Sequence, residues 1–188
     1  MNKKSITIST IFTLLRIALT PCIIIAMIMH RWSLACGLFI FAAATDALDG
    51  FLARALHQET YLGSILDPLA DKILLISCFA AIAFIDSPLF TIPPWFVLVI
   101  LIKELFLIVG FGGLYIRSGA IAIRPTLLSK LTTVCQVLFI FWLFLCHFYN
   151  WVPIKTYYVM LGSLMTLILL TLMQYMVIGY RFIFYGKI

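Results

Sequence analysis

Residues 46–72 read DALDGFLARALHQETYLGSILDPLADK, and this stretch places four aspartates inside an otherwise apolar part of the chain. They are Asp46, Asp49, Asp67 and Asp71. A single aspartate at the centre of a bilayer costs about 2.5 to 3.5 kcal/mol on insertion scales, so carboxylates in such surroundings usually have a function. The stretch therefore predicts a functional site.

The spacing of the aspartates predicts how they are arranged. Asp46 and Asp49 are three residues apart, and Asp67 and Asp71 are four apart, so each pair lies on one face of a helix. We expect the segment from Arg54 to Leu66 to turn the chain back and bring the two pairs together. The result would be a cluster of four carboxylates at one end of a helical hairpin.

A cluster of this kind is stable only when its charge is balanced. Ligands that are all oxygen suit hard divalent cations, so we expect Mg²⁺ or Mn²⁺, with Ca²⁺ as a surrogate. Four carboxylates can hold two metal ions about 3.5 to 4 Å apart, an arrangement used in phosphoryl chemistry. The alternative is a set of helix caps and interfacial acids, since Asp67 before Pro68 is also an ordinary helix start.

The residues between the aspartates fit a phosphate-bearing ligand. Gly50 and Ala53 are small, so a ligand or a neighbouring backbone can approach closely. Arg54 can bind phosphate through two parallel hydrogen bonds. The alanines around Asp46 equally favour tight helix packing in lipid.

The composition extends this interpretation to the whole chain. Of 188 residues, 64% are hydrophobic and 11% charged, whereas soluble domains carry about 25% charged residues. We expect an all-α integral membrane protein with one domain over residues 1–188 and six transmembrane helices. The predicted spans are Thr10 to Met29, Trp32 to Ala53, Pro68 to Ile85, Pro93 to Ile116, Thr126 to Tyr149 and Ile154 to Gly179.

The basic residues predict the orientation of these spans. Nine of the 13 lysines and arginines fall on the side of the two termini, and only Arg31 and Lys155 fall opposite. By the positive-inside rule, both termini and the carboxylate cluster face the cytoplasm. Arg16 and Lys103 lie within spans. A cleaved signal peptide is disfavoured, because the first apolar block is long and contains Arg16.

Other residue types carry less information. The five cysteines have no C-x-x-C spacing and predict neither disulfides nor zinc. His30, His57 and His147 are scattered singly, which is more typical of interfacial positions than of catalysis. We expect no nucleic-acid partner.

The fixed positions in residues 46–71 resemble a known signature. Asp46, Asp49-Gly50, Ala53-Arg54, Gly63, Asp67 and Asp71 match the spacing of the CDP-alcohol phosphatidyltransferase family at all eight positions. The resemblance implies a six-helix membrane enzyme, usually a homodimer, that transfers a phosphatidyl group from a CDP-linked lipid to an alcohol and releases CMP.

The resemblance also implies residue roles. The four aspartates would bind two metal ions, and Asp71 would also act as general base toward the acceptor hydroxyl. Gly50, Ala53, Arg54 and Gly63 would line the nucleotide site.

Further stretches are similar to the phosphatidylglycerophosphate synthase and cardiolipin synthase branches of that family. They are Thr13 to Ile17, Leu66 to Lys72, and Ser129 to Thr133 with Gln136. The substrates implied are CDP-diacylglycerol and glycerol 3-phosphate, with phosphatidylglycerol as the alternative acceptor. The chain departs from these branches before the first span, where an Asn-Pro pair is missing, and in the fourth span.

In that fourth span Lys103-Glu104 replaces the usual arginine and acid. Adjacent helical residues do not face each other, so we expect Lys103 to pair elsewhere. Lysine also lacks the bidentate fork of arginine.

A phosphorylated acceptor needs cationic partners, and Arg117, Arg124 and Lys130 are the candidates in the loop after span four and the start of span five. The same residues are explained by membrane topology alone. Two other classes stay open: a cation transporter, and a helix-packing subunit without catalytic activity. The first commonly shows repeated halves, which this sequence lacks. The second has no need of four carboxylates.

Overall fold

The computed structural model describes residues 8–56, 61–85, 90–118 and 126–185, with side chains over 13–45, 69–85, 90–108 and 126–181. Within these ranges the chain forms six α-helices and no strand, which confirms the all-α class. The helices are α1 (Ile8–Ile28), α2 (Trp32–Leu56), α3 (Tyr61–Phe84), α4 (Pro94–Ser118), α5 (Leu127–Phe148) and α6 (Ile154–Tyr185).

Five helices begin within two residues of the predicted positions, but the predicted start of the third is wrong. Helix α3 begins at Tyr61 rather than Pro68, and α2 continues to Leu56. Most of the segment expected to turn the chain back is therefore helical, and Asp67 is not a helix cap. Proline commonly occupies the first turn of a helix, yet apolar helices tolerate it in their interior, as Pro21 shows in α1.

The helices are long enough to cross a bilayer, since the shortest has 21 residues, or about 31 Å at 1.5 Å per residue. Among the described residues, α5 and the Ile154–Arg181 part of α6 are both long and apolar enough for membrane spans. Thr13–Ile28 and Trp32–Thr45 form shorter apolar helical stretches. Length and composition alone thus identify two spans, and the full set of six stays a prediction.

The chain divides into two compact units. The first comprises Met1–Thr91 and Phe141–Trp151. In it α1 packs against both α2 and α3, and the end of α5 packs on α2, where the rings of Phe39 and Phe144 lie 5.7 Å apart. The side chain of His147 stacks at an angle on Trp32, with ring centroids 5.2 Å apart. Helix α1 is thus the common neighbour of the two helices that carry the aspartates.

The second unit comprises Ile92–Ile140 and Val152–Ile188. Here α4 packs against α6, and α5 runs antiparallel to α6. Along this pair Phe139 stacks on Tyr157, and the backbone N–H of Thr126 donates to Tyr175 Oη at 3.2 Å.

Between these contacts the buried hydroxyls of Thr132 and Thr171 lie 2.9 Å apart. Each is also within hydrogen-bond distance of a carbonyl oxygen of its own helix, that of Leu128 at 2.8 Å and that of Leu167 at 2.7 Å. The two hydroxyl groups can donate only two hydrogen bonds, although three contacts lie within hydrogen-bond distance.

A short turn, residues 29–31, joins α1 to α2. The backbone N–H of Arg31 donates to the carbonyl of Ala26, and that of His30 to the carbonyl of Met27, both at 2.9 Å. This is the Schellman arrangement that closes helix C-termini. It requires a left-handed residue, and His30 supplies it with a φ of 55°. Asn150 takes the same position after α5, with a φ of 49°.

The His30→Gly variant should be more stable than the natural chain. A side chain in the left-handed region costs about 1 to 2 kcal/mol, part of which is offset by the larger backbone entropy of unfolded glycine. We expect a net gain of about 0.5 to 1 kcal/mol, measured as a rise in the melting temperature in detergent. His30→Ala retains a Cβ and should show no gain; an equal rise in both variants would contradict the explanation.

Candidate functional site

One aspartate of the motif has a described side chain, and it pairs with a buried arginine. Arg16 Nη1 of α1 donates to Asp71 Oδ1 of α3. The side chain of Arg16 is 1% exposed and that of Asp71 is 34% exposed. The ion pair links two helices across 55 positions of sequence. It lies wholly within the first compact unit.

The folding of α1 explains why Arg16 is buried. Thr13, Arg16 and Thr20 are all buried and recur at intervals of three and four, so they share one face of the helix. Further along, the same face continues with Ile23 and Met27. The Thr20 hydroxyl donates to the Arg16 carbonyl at 2.9 Å, so its polar group is satisfied within the helix. This face places a cation against α3.

Sequence reasoning did not assign Arg16 to the site. The sequence does contain a signal for it: Arg16 is a charged residue within an apolar run, and such residues are functional candidates by default. The sequence places Arg16 within the first apolar run, which the structure shows to be helical, but nothing in the spacing shows that α1 meets α3 at Asp71. That pairing appears only in the structure.

The other motif residues have described backbones only. Asp46, Asp49, Gly50, Ala53 and Arg54 lie in α2, while Gly63 and Asp67 lie in α3. Their side chains fall outside those that the structure describes.

No group of three or more metal-ligating side chains occurs among the described residues. Because three of the four aspartates lie outside that set, the predicted carboxylate cluster and its metal ions stay predictions. The donor set itself contains oxygen ligands only, and it fits Mg²⁺ or Mn²⁺.

The three residues predicted to bind the acceptor differ in where they lie and in how much of each the structure describes. Lys130 is exposed in the first turn of α5. Arg117 lies in the last turn of α4 rather than in the loop where it was expected, because that helix continues to Ser118; its side chain is not described. Arg124 lies outside the described residues.

Lys103 and Glu104 form a buried ion pair in α4. Lys103 Nζ donates to Glu104 Oε1 at 2.8 Å, and the side chains are 0% and 6% exposed. Lys103 therefore does contact its neighbour on the same helix, a contact that the sequence analysis does not predict. The rule against neighbouring contacts describes Cβ directions, and the long side chains of lysine and glutamate bend far enough to meet.

Breaking this pair from one side should destabilise the protein. Lys103→Met leaves a buried carboxylate without that partner, which costs about 3 to 5 kcal/mol, or roughly 6 to 20 °C in melting temperature for a chain of this size. The double variant Lys103→Met with Glu104→Gln removes both charges and should recover most of the loss. Thermal unfolding in detergent measures both, with the exposed Lys155→Met as control. A double variant no more stable than the single one would contradict this account.

Comparison with known proteins identifies the class to which this site belongs. The sequence model of the CDP-alcohol phosphatidyltransferase family matches residues 6–185, and the chain belongs to that family.

Among its relatives, the CDP-diacylglycerol–glycerol-3-phosphate 3-phosphatidyltransferase of Aquifex aeolicus is 29% identical over 179 residues, which cover 94% of this chain and 98% of that protein. The enzyme of the same name from Cereibacter sphaeroides is 35% identical over 147 residues, or 73% of this chain and 63% of the relative. Human cardiolipin synthase (CMP-forming) is 30% identical over 150 residues, but the match spans only 48% of its length.

Proposed function

We propose that the chain transfers the phosphatidyl group of CDP-diacylglycerol to glycerol 3-phosphate, giving phosphatidylglycerophosphate and CMP. The observation that carries this proposal is the match to the Aquifex enzyme of that name over 98% of its length. The family signature at residues 46–71 supports the use of a CDP-linked lipid.

A second candidate is cardiolipin synthesis, with phosphatidylglycerol as the acceptor. The similarity to the human cardiolipin synthase favours it, at 30% identity. The match leaves about half of the human protein uncovered, whereas the match to the Aquifex enzyme covers nearly the whole length of that enzyme. Glycerol 3-phosphate is therefore the preferred acceptor.

The proposed setting is the cytoplasmic membrane of a bacterium. Large apolar side chains are exposed on every helix, and the exposed fractions reach 58% for Leu14 and Leu105 and 71% for Val159. Soluble monomers rarely expose large continuous apolar patches, so lipid contact explains these surfaces. We propose six transmembrane helices in one domain over residues 1–188, a homodimer, and both termini in the cytoplasm.

The lengths of α2 and α3 support a shared carboxylate site. Only four residues separate the end of α2 at Leu56 from the start of α3 at Tyr61, which keeps those helix ends within about 18 Å of each other. Asp46 and Asp71 each lie ten residues from these ends, about 15 Å along the helices, while Asp49 and Asp67 lie about 10 Å away. In an antiparallel hairpin, Asp46 and Asp71 are therefore at about the same distance from the connected helix ends, and so are Asp49 and Asp67.

The chemistry follows from what these residues do. The four aspartates hold two divalent cations, which when bound neutralise the lipid pyrophosphate and stabilise charge at phosphorus. Asp71 accepts the proton of the acceptor hydroxyl. The hydroxyl oxygen then forms a bond to the phosphorus of the phosphatidyl group, and the bond from that phosphorus to the CMP oxygen breaks. Gly50, Ala53, Arg54 and Gly63 hold the nucleotide.

The acceptor carries its own phosphate, and we assign it to the cations that follow α4. Lys130 is exposed at the start of α5 and accessible to a water-soluble ligand. Arg117 and Arg124 complete the proposed set. These three residues distinguish a phosphorylated acceptor from a neutral alcohol by charge.

Release of CMP from CDP-diacylglycerol by the purified protein tests the proposal. Glycerol 3-phosphate should support release and phosphatidylglycerol should not; the opposite pattern would assign the chain to cardiolipin synthesis. Lys130→Met should raise the KM for glycerol 3-phosphate about 10- to 150-fold, because a charge-assisted hydrogen bond is worth about 1.5 to 3 kcal/mol. Lys155→Met is the matched control. If neither acceptor gives CMP, the transferase assignment fails and ion transport becomes the next activity to assay.

Removal of divalent cations should abolish turnover, and so should loss of the proposed base. We expect EDTA to stop CMP release and Mg²⁺ or Mn²⁺ to restore it. Asp71→Asn keeps an oxygen that accepts the bond from Arg16 but removes its counter-charge, so the protein should fold with a lower melting temperature while turnover falls by at least about 10²-fold. Asp86→Asn, a carboxylate outside the motif, should leave turnover unchanged. Near-normal turnover in Asp71→Asn would refute its role as base.

A further inference from the structure

Among the described residues, the side chain of Arg16 forms an ion pair with Asp71, an aspartate of the motif. The guanidinium is fully buried and comes from a different helix, and the family signature at residues 46–71 does not include it.

Stability alone does not account for an arginine at this position. Burying a guanidinium costs several kcal/mol of desolvation, and an apolar pair of similar volume is often as stable as a buried ion pair, or more so. On the same face of α1, Ile23 and Met27 show that apolar residues fill this helix surface well. A charge retained at position 16 therefore indicates a role at Asp71.

We infer that Arg16 is a positioning residue that fixes the direction of the Asp71 carboxylate for metal binding and proton transfer, an inference that rests on the proposed function. The guanidinium is planar and its N–H groups form a rigid fork. Because the two oxygens of a carboxylate are rigidly joined, a bond to Oδ1 restricts the positions that Oδ2 can take.

Partners that orient metal-binding carboxylates commonly contribute about 10- to 100-fold to metal affinity or activity. Two effects of Arg16 on a bound cation have opposite signs. Its positive charge repels the cation, so removing the charge would tighten metal binding. Its fork orients Asp71, so removing the fork would weaken metal binding. Arg16→Lys separates the two effects, because it keeps the charge and removes the fork. It also keeps a counter-charge for Asp71 and so preserves the fold.

The test compares the natural protein with Arg16→Lys in detergent, with Arg31→Lys, an exposed arginine in the turn after α1, as control. Mn²⁺ binding is measured without lipid by electron paramagnetic resonance. We expect Arg16→Lys to bind Mn²⁺ about tenfold more weakly and, at saturating Mn²⁺, to lower kcat about 10- to 100-fold. The KM for CDP-diacylglycerol should stay within about twofold and the melting temperature within about 4 °C, since one charge replaces another. Arg31→Lys should match the natural protein in every measurement.

A double variant tests whether Arg16 acts through Asp71. In the Asp71→Asn background, Arg16→Lys should change Mn²⁺ affinity no further, because there is no carboxylate left to orient. Additive losses would overturn the inference. So would unchanged or tighter Mn²⁺ binding in Arg16→Lys, or a loss of kcat that parallels a loss of thermal stability.

The inference and the proposed function fail in different ways. If the natural protein neither binds Mn²⁺ nor releases CMP, the proposed function fails. If it does both and Arg16→Lys behaves identically, only the positioning role fails.

Discussion

A guanidinium buried in an apolar helix surface must have an opposite charge beside it, and in the first compact unit this requirement ties α1 to α3. Arg16 is 1% exposed and bonds Asp71. An unpaired charge at that place would cost several kcal/mol, so the two helices keep one relative position in order to satisfy it. The same α1 packs against α2. One helix outside the signature thus contacts both helices inside it, and the charges of the site and the packing of the unit depend on each other.

The two buried ion pairs satisfy this requirement in different ways. Lys103 and Glu104 are neighbours on one helix, so the contact between them forms within α4. Arg16 and Asp71 belong to different helices and meet only when α1 and α3 are packed. The first pair keeps a charged segment stable in apolar surroundings. The second makes the position of the Asp71 carboxylate depend on the tertiary structure.

Much of the architecture was predictable because long apolar runs have few ways to satisfy their backbone in lipid. Five helix starts followed directly from where those runs begin. The start of α3 did not, because Pro68 has the same local preference at a helix start as in a tolerated interior position. The Lys103–Glu104 contact was missed because helix periodicity describes Cβ directions and not the reach of long side chains.

The family was predictable from the sequence, but the contact of Asp71 with Arg16 was not. Four aspartates at intervals of three and four predict the type of ligand and the helix face, and the family comparison agrees with the interpretation of the signature. Periodicity within a helix does not tell which helix lies opposite. For that reason the sequence placed Arg16 inside a span without connecting it to Asp71. The packing of α1 on α3 supplies that connection.

The turn between α1 and α2 has a consequence for how the chain enters a bilayer. Three residues, 29–31, join the two helices, and their backbone is closed by hydrogen bonds to α1 itself. In the topology proposed above, no loop has to be translocated ahead of the second helix, so α1 and α2 would insert together as a helical hairpin with Arg31 in its turn. Biogenesis would then deliver the helix bearing Arg16 together with the helix bearing Asp46 and Asp49 in a single step, before α3 arrives with Asp71.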